Sequence, residues 1–388
     1  MIKSTRIESI DILRGLVMVI MALDHTRDYF HYDAFVNNPT NLETTTPFLF
    51  FTRFITHYCA PVFVFLAGTS AYLYGTNKSK NQLFKFLITR GIWLIILEII
   101  LNNLIWQFNL HYNLIVLQVI WAIGLSMFVL SFLIYLPKKA LLIVGVILVV
   151  GHNSLDGIVM QNTNFKSIIW YILHQRNRII LDADHSLIFA YPIMPWLGLM
   201  ILGYCLGTLY KKGFPATRRK KYLLGLGITS VILFFIVRGI NIYGDLKPWS
   251  VQDNPVFTFL SFMNVTKYPP SLLYILVTIG PALLFLYAIE TIKNKTTDFL
   301  IVFGRVPLFY YFMHVLVIHT LAILAIIIFS DNWQIITSLS PPGLAKQGYS
   351  LFIVYIVWIG VITILYYPCK KYMTYKANNK NKWWLSYL

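Results

Sequence analysis

The chain has 388 residues, of which 57% are hydrophobic and 12% are charged, and its formal net charge is +17. Soluble domains contain about 25% charged residues, so the composition excludes a soluble globular protein and indicates an integral membrane protein. The positive charge does not indicate a nucleic-acid partner, because Lys and Arg cluster in short segments between apolar runs, as membrane orientation produces. The three cysteines show no disulfide or metal-ligand spacing.

The first apolar segment, residues 10–31, is predicted to be a hydrophobic helix with ionisable residues at both ends. Four of these residues fall within a helical arc of about 100°, namely Asp11, Arg14, His25 and Asp28. Ionisable groups at membrane depth cost free energy unless they are paired or hydrated, so they indicate a functional site. His25 is the best candidate base, with Asp28 one turn later as its orienting partner. The alternative is a structural histidine at the membrane interface.

Two acidic–basic pairs occur in this segment at i, i+3 spacing, which places each pair on one helix face. Asp24 and Arg27 are predicted to pair with each other near the outer end. Asp11 and Arg14 lie at the other end, where a self-neutralising ion pair and an anion site are both compatible with the spacing. An anion site is plausible chemistry, because the planar Arg fork suits phosphate and Gly15 leaves room for close approach.

The second apolar segment, residues 47–75, carries Arg53 and His57 on one helix face. Pro61 frees backbone groups that a membrane span tolerates only where protein or water satisfies them. Tight helix packing explains the small residues around Gly68, but it does not explain Arg53 and His57. These two side chains are therefore predicted to line a hydrated cavity.

A span of the hydrocarbon core needs about 20 apolar residues, and the chain offers ten candidate segments. They are 10–31, 47–75, 84–106, 112–136, 139–152, 190–210, 222–243, 268–290, 299–329 and 350–368. The prediction is an all-α polytopic helical bundle of about ten transmembrane helices. The whole chain, 1–388, is predicted to be one membrane-embedded domain that ends in a basic cytoplasmic tail, 369–388.

The connecting segments give the predicted orientation. Alternate connectors hold 21 Lys and Arg on one side and 6 on the other, which places both termini in the cytoplasm. This favours a multi-pass protein of the plasma or inner membrane. The long outer connectors 153–189, 244–267 and 330–349 are predicted to roof an outward-facing cavity, with simple interfacial anchoring as the alternative.

The ninth segment places His314 one turn after Tyr310 and Tyr311. His319 lies 140° further around the helix, since five residues turn it by 500°, so the two histidines cannot face one site. His314 is therefore the candidate functional residue, with a helix-packing role as the alternative. No nucleotide-binding loop, zincin motif or hydrolase elbow occurs in the chain.

Three motifs together resemble the heparan-α-glucosaminide N-acetyltransferase-like family of polytopic membrane acyltransferases. They are Arg6-x4-Asp11-x2-Arg14-Gly15 followed by His25, the run Pro61-Val-Phe-Val-Phe-Leu-Ala-Gly68, and Tyr311-Phe-Met-His314. The resemblance is also supported by two later stretches, Pro195-Trp-Leu-Gly198 and Gly304-to-His314. The resemblance covers most of the chain, and it extends to the related membrane O-acyltransferases of surface glycans.

The resemblance implies an enzyme that takes an acyl group from cytoplasmic acyl-CoA, with acetyl-CoA the expected donor, and delivers it to a sugar amine or hydroxyl outside. In the related O-acyltransferases a first-span histidine is catalytic, and His25 matches that position. The glucosaminide enzymes carry an amide there and a proposed catalytic histidine shortly after the span, for which His31 is the nearest match. The candidate catalytic residues are His25, His57, Asp28 and His31. The candidate donor-binding residues are Asp11, Arg14, Arg53, Tyr311 and His314.

Several alternatives stay open at the level of sequence. A proton-coupled transporter of a small or glycan-like substrate could use His25, His57 and His314 as a relay, although no internal repeat of the kind common in transporters is evident. The histidine could act as a base or accept the acyl group itself. The expected partners are acyl-CoA, an extracytoplasmic glycan and the bilayer, with a homo-oligomer possible; no metal is expected.

Overall fold

The computed structural model describes residues 7–331, 333–336, 338–379 and 381–386, so Arg6 of the motif lies outside the described residues. The described chain is mainly α-helical. The helices are α1 (Glu8–Phe30), α2 (Pro47–Thr56), α3 (Cys59–Gly75), α4 (Lys80–Leu97), α5 (Asn103–Gln107), α6 (Val119–Leu133), α7 (Lys138–Gly151), α8 (Phe165–Leu173), α9 (Ile193–Leu206), α10 (Ala216–Ile240), α11 (Pro255–Met263), α12 (Leu272–Ile289), α13 (Lys295–Arg305), α14 (Pro307–Phe329), α15 (Pro341–Leu344) and α16 (Leu351–Asn378).

Within the described residues, seven helical stretches are long and apolar enough to cross a membrane, which makes this a multi-pass membrane protein. They are Pro47–Gly75, Lys138–Leu155, Ile193–Tyr210, Ala216–Ile240, Leu272–Ile289, Pro307–Phe329 and Leu351–Asn378. The three other predicted spans coincide with α1, with α4 and α5, and with α6. The first two of these carry more charge, and α6 is only 15 residues long.

Two predicted spans differ from the structure for identifiable reasons. The segment 299–329 is two helices that meet at Val306, whose φ of −131° and ψ of 49° are not helical. Pro307 follows, and a proline disfavours the α conformation of the residue before it. The segment 112–136 begins with a strand, β1 (Leu114–Leu117), before α6 starts. The last helix also extends to Asn378, so the predicted tail is helical at its start.

The connector 153–189 contains the short helix α8 and two strands, β2 (Asn177–Ile180) and β3 (Ser186–Phe189). The strand order is β1-β3-β2, with β1 parallel and β2 antiparallel to β3. A small separate core beneath this sheet contains Tyr171 and Phe189. The sheet therefore ties the connector to the segment that precedes α6.

The first helix lies at the centre of the bundle, where it packs against α2, α3, α12, α13, α14 and α16. It crosses α13 with direct backbone contact, because a Cβ added to Gly15 would lie 1.9 Å from the Leu300 carbonyl oxygen. A Cβ on Gly304 would lie 1.8 Å from the Asp11 carbonyl oxygen. Small residues permit such crossings in membranes, and this one fixes the position of α1 in the bundle.

The helices α3 and α9 cross in the same way, which confirms the predicted small-residue packing. A Cβ on Gly68 would lie 2.0 Å from the Met200 carbonyl oxygen, and one on Gly203 would lie 2.0 Å from that of Phe65. The second predicted span is thereby held against the bundle.

Candidate active site

The C-terminal half of α1 borders a cavity of about 1170 Å³. The walls come from α1, α2 and α5 and from the connectors that follow α1, α5, α8, α11 and α14. Four of the predicted site residues line it, namely His25, Asp28, His31 and Arg53. The cavity thus gathers side chains from segments that are far apart in the sequence.

The centre of the site is a pair of hydrogen-bonded histidines whose rings are nearly parallel. His25 Nδ1 lies 2.7 Å from His314 Nε2, and the two rings are 4.9 Å apart and inclined by 9°. His314 is fully buried, and its Nδ1 lies 2.8 Å from the carbonyl oxygen of Tyr310. The cavity-lining base candidate is therefore held by a second imidazole from α14.

This hydrogen-bond chain assigns both tautomers. A carbonyl oxygen can only accept, so His314 Nδ1 carries the hydrogen and its neutral ring accepts at Nε2. His25 Nδ1 must then be the donor to that nitrogen. A neutral His25 is left with a lone pair on Nε2, for which no hydrogen-bond donor is found among the residues that the structure describes. A lone pair of this kind suits a general base or a nucleophile.

The orienting partner of His25 differs from the predicted one. The carboxylate of Asp28 accepts a hydrogen bond from Arg27 at 2.6 Å, while His314 occupies the position that the sequence suggested for Asp28. The reason is that α14 packs against α1 at this level, which brings an imidazole closer to His25 Nδ1 than the side chain one turn away.

Aromatic rings enclose the histidine pair. Trp106 meets His25 edge-on with ring centroids 4.7 Å apart, and the Tyr311 ring lies 6.0 Å from His25. Tyr29 donates a hydrogen bond to the Trp106 carbonyl oxygen at 2.8 Å, which ties α5 to α1. These rings limit access of water to one side of His25.

An ion-pair network forms the next part of the wall. Arg53 Nη1 lies 2.6 Å from Asp24 Oδ1, and Arg27 Nη2 lies 3.0 Å from the same oxygen. The Thr56 hydroxyl also donates to Asp24 at 3.0 Å. The pairing of Asp24 with Arg27 confirms the predicted i, i+3 contact. Two arginines matched by Asp24 and Asp28 give a charge-balanced wall.

Two further cations stand at the cavity wall around Tyr268. The Arg176 guanidinium lies 5.1 Å from the centroid of that ring and the Lys267 ammonium lies 5.2 Å from it. Neither has a carboxylate within ion-pair distance among the described residues. This part of the cavity therefore favours a ligand that carries negative charge.

The predicted residues Asp11 and Arg14 lie at the other end of α1 and do not line the cavity. Asp11 is buried between Arg14 at 3.2 Å and Arg305 at 3.4 Å. Arg14 also donates to the Gly304 carbonyl oxygen and to the Ser70 hydroxyl, each at 3.1 Å. These contacts join α1, α3 and α13, so the pair has a packing role in the structure whatever else it does.

Two predicted histidines have environments unlike that of His25. His57 directly follows α2, is buried beside Tyr274 at a centroid distance of 5.2 Å, and does not line the cavity. His31 lines it, but its Nδ1 accepts a hydrogen bond from the Asp33 N–H at 3.2 Å. A neutral His31 must then carry its hydrogen on Nε2, so its lone pair is already engaged.

Sequence reasoning did not select Trp106, Lys267, Tyr268 or Arg176 as site residues. Arg176 and Lys267 belong to the connectors 153–189 and 244–267, which were predicted to roof the cavity, and this was a usable signal for both. Trp106 lies at the edge of an apolar segment, where such residues usually serve as membrane anchors. The grouping of these side chains around one cavity depends on tertiary packing.

Apolar helices around a hydrogen-bonded histidine pair and a polar cavity define a multi-pass membrane protein with an enzyme-like site. A family model described as the heparan-alpha-glucosaminide N-acetyltransferase catalytic domain matches residues 6–243. Because the match covers more than half of the chain, the protein belongs to this acetyltransferase family, as the sequence motifs predicted. No individual curated protein matches the chain. The matched range includes His25, whereas Tyr311 and His314 lie beyond it.

Proposed function

We propose that this protein is a transmembrane acyltransferase that moves an acetyl group from cytoplasmic acetyl-CoA to an amine or hydroxyl of an extracytoplasmic carbohydrate. The observation that carries the proposal is the His25–His314 pair, whose hydrogen bonds leave the His25 Nε2 lone pair at a cavity. Membership of an acetyltransferase family supports the reaction type. It gives no support to the alternative of a transporter.

In the proposed reaction, the acceptor oxygen or nitrogen attacks the thioester carbonyl carbon while His25 Nε2 removes its proton. The new C–O or C–N bond forms, the C–S bond breaks, and the departing thiolate takes the proton from His25. His314 acts as a positioning residue, because it fixes the tautomer and orientation of His25. Tyr311 and Trp106 shield this centre from water, which strengthens its electrostatic interactions.

The proposed topology has about ten transmembrane helices, comprising the seven long apolar stretches together with α1, α4 with α5, and α6. The distribution of Lys and Arg supports cytoplasmic termini. The cavity then faces the extracytoplasmic side, since it opens between connectors that hold few Lys and Arg. The basic segment 369–388 would lie on the cytoplasmic leaflet, and the plasma or inner membrane is the proposed location.

The donor would approach from the end of α1 that carries Asp11 and Arg14. Support comes from the basic character of the connectors there and from the guanidinium chemistry that suits phosphate. Arg14 already contacts Gly304 and Ser70, so a donor-binding role must be separated from packing. We expect Arg14→Lys, which keeps the charge but loses the planar fork, to raise the KM for acetyl-CoA as well as to lower the melting temperature. A lower melting temperature with the same KM would restrict Arg14 to packing.

The proposal is tested with purified protein in sealed vesicles of known orientation. Labelled acetyl-CoA is supplied at the face that carries the termini, and a mixture of amino sugars and glycans is supplied at the other face. Transfer of label to a carbohydrate, identified by the added acetyl mass, is expected. Hydrolysis of acetyl-CoA without any acylated product, or transfer only when both substrates are on the same side, would contradict the proposal.

A further inference from the structure

A second cluster of titratable side chains lies at the end of α7, among residues that the proposed reaction does not use. His152 begins the 3₁₀ turn His152–Leu155 that follows α7, Asp156 comes one turn later, and His174 directly follows α8. One possible ligand atom from each of the three residues lies within 4.8 Å of the others. The cluster therefore joins a membrane-spanning helix to the outer connector.

The histidines of this cluster are buried without the hydrogen bonds that buried imidazoles normally make. His152 is 1% exposed, and neither of its ring nitrogens has a partner among the described residues. The Nδ1 of His174 is also buried without a partner, while its Nε2 lies 3.0 Å from Asp156 Oδ1. Buried polar groups are nearly always satisfied, so these nitrogens point to a ligand.

The carboxylate of the cluster is oriented by a neighbouring amide. Asn153 donates to Asp156 Oδ2 at 2.8 Å, and the amide oxygen of Asn153 accepts a hydrogen bond from the backbone N–H of Leu272 at 2.9 Å. This leaves Asp156 Oδ1 facing the histidines. Hydrogen bonds of this kind commonly orient the ligands of metal ions.

We propose that His152, Asp156 and His174 bind a zinc ion. Two imidazole nitrogens and a carboxylate oxygen are ligands that zinc accepts, with a fourth position left for water. Tetrahedral bonds of about 2.0–2.1 Å place ligand atoms roughly 3.4 Å apart, so rotation of the side chains closes the set. Calcium and magnesium are poor alternatives, because they prefer oxygen ligands.

Bound zinc would fix the outer connector in place. The ion would link the end of α7 to the end of α8. Its ligand His174 lies two residues before Arg176, which lines the cavity, and three residues before β2 begins. Zinc would therefore hold one wall of the cavity without taking part in acyl transfer, and it should raise the melting temperature.

The direct test uses the full chain in detergent, freed of any polyhistidine tag, loaded with zinc and then desalted. Elemental analysis should find stoichiometric zinc in the unmodified protein and only background zinc in His152→Ala. The matched control is His185→Ala, because His185 is another histidine of this connector with an aspartate partner, Asp182, and is exposed. Equal zinc in His152→Ala and in the unmodified protein, or no retained zinc in the unmodified protein, would overturn the proposal.

A second measurement does not depend on the folding of a variant. Cobalt(II) added to the metal-free unmodified protein should give the visible absorption of a tetrahedral site, and a chelator should abolish it. Zinc should also raise the melting temperature of the unmodified protein. A colourless cobalt sample with no thermal shift would mean that the cluster is only a His174–Asp156 pair beside a packed His152.

Discussion

His25 differs from His31, the other candidate catalytic histidine that lines the cavity, because its Nδ1 donates a hydrogen bond whereas that of His31 accepts one. The Nδ1 hydrogen of His25 is directed at His314, and Nε2 is left with a lone pair. A positioned general base contributes about 10² to 10⁴-fold to the rate of a reaction. We therefore expect His25→Ala to lower kcat for acetyl transfer by about this factor, as measured with labelled acetyl-CoA and an acceptor amine.

The control for this variant is His31→Ala, at another histidine that lines the cavity. Because the His31 lone pair accepts from the Asp33 N–H, its loss should affect kcat much less. If His31→Ala abolishes turnover and His25→Ala does not, the catalytic assignment moves to the end of α1. Mass spectrometry of protein quenched during turnover separates the two mechanisms, since only an acyl-histidine intermediate adds mass to the peptide that contains His25.

His314 can be tested as a positioning residue by comparing two replacements. His314→Gln keeps an acceptor oxygen for the His25 N–H, whereas His314→Leu removes it. We expect His314→Leu to lower kcat by about 10 to 100-fold with little change in KM, a loss smaller than the full general-base contribution, and His314→Gln to recover part of the loss. Equal kcat for both replacements would show that the ring serves packing and not orientation.

At the scale of elements, the crossing of α1 and α13 is the contact that holds the functional helix. Gly304→Ala would place a Cβ 1.8 Å from the Asp11 carbonyl oxygen, so the helices must separate. Overpacking of this kind costs about 1–3 kcal/mol. We expect the variant to unfold at a lower temperature in detergent and to disturb the Arg14–Gly304 hydrogen bond.

The matched control for this crossing is Gly360→Ala in α16, where no atom lies within 4 Å of the added Cβ. It should leave the melting temperature unchanged or raise it slightly, because alanine favours the helix more than glycine does. If both variants unfold alike, the α1–α13 contact does not limit the stability of the bundle.

Elements were predictable where a local signal exists. Long apolar runs located α1, the pair α2–α3 and most of the later helices. The break at Val306 also has a local cause, because Pro307 follows it. One span was predicted over 299–329 because the apolar run is long, and the effect of this proline was not considered. Strand β1 has no such signal, because its apolar residues become a strand only through pairing with β3, about 70 residues later.

At the scale of the whole molecule, both members of the central His25–His314 contact were predicted to be functional. His25 was predicted to be catalytic and His314 to bind the donor, and their contact was not predicted. His25 and His314 are 289 residues apart, and no spacing rule connects them. Each was selected because an ionisable residue in an apolar helix is costly, yet their contact depends on how α14 packs on α1. The His152 cluster was missed because its third member lies beyond helical spacing, although His152 and Asp156 share i, i+4 spacing.

The proposed direction of transfer requires that the cavity and the Arg14 end of α1 lie on opposite sides of the membrane. Ala183 is exposed in the connector between β2 and β3, and Lys212 is exposed between α9 and α10. In intact cells, a membrane-impermeant thiol reagent should label Ala183→Cys, whereas Lys212→Cys should react only after permeabilisation. The native cysteines Cys59 and Cys369 are buried, and the partly exposed Cys205 is replaced with serine in both variants to remove background labelling. The reverse pattern would place the cavity on the cytoplasmic side. Labelling of both positions before permeabilisation would place Lys212 on the same side as the cavity. Either result would contradict the proposed transfer across the membrane.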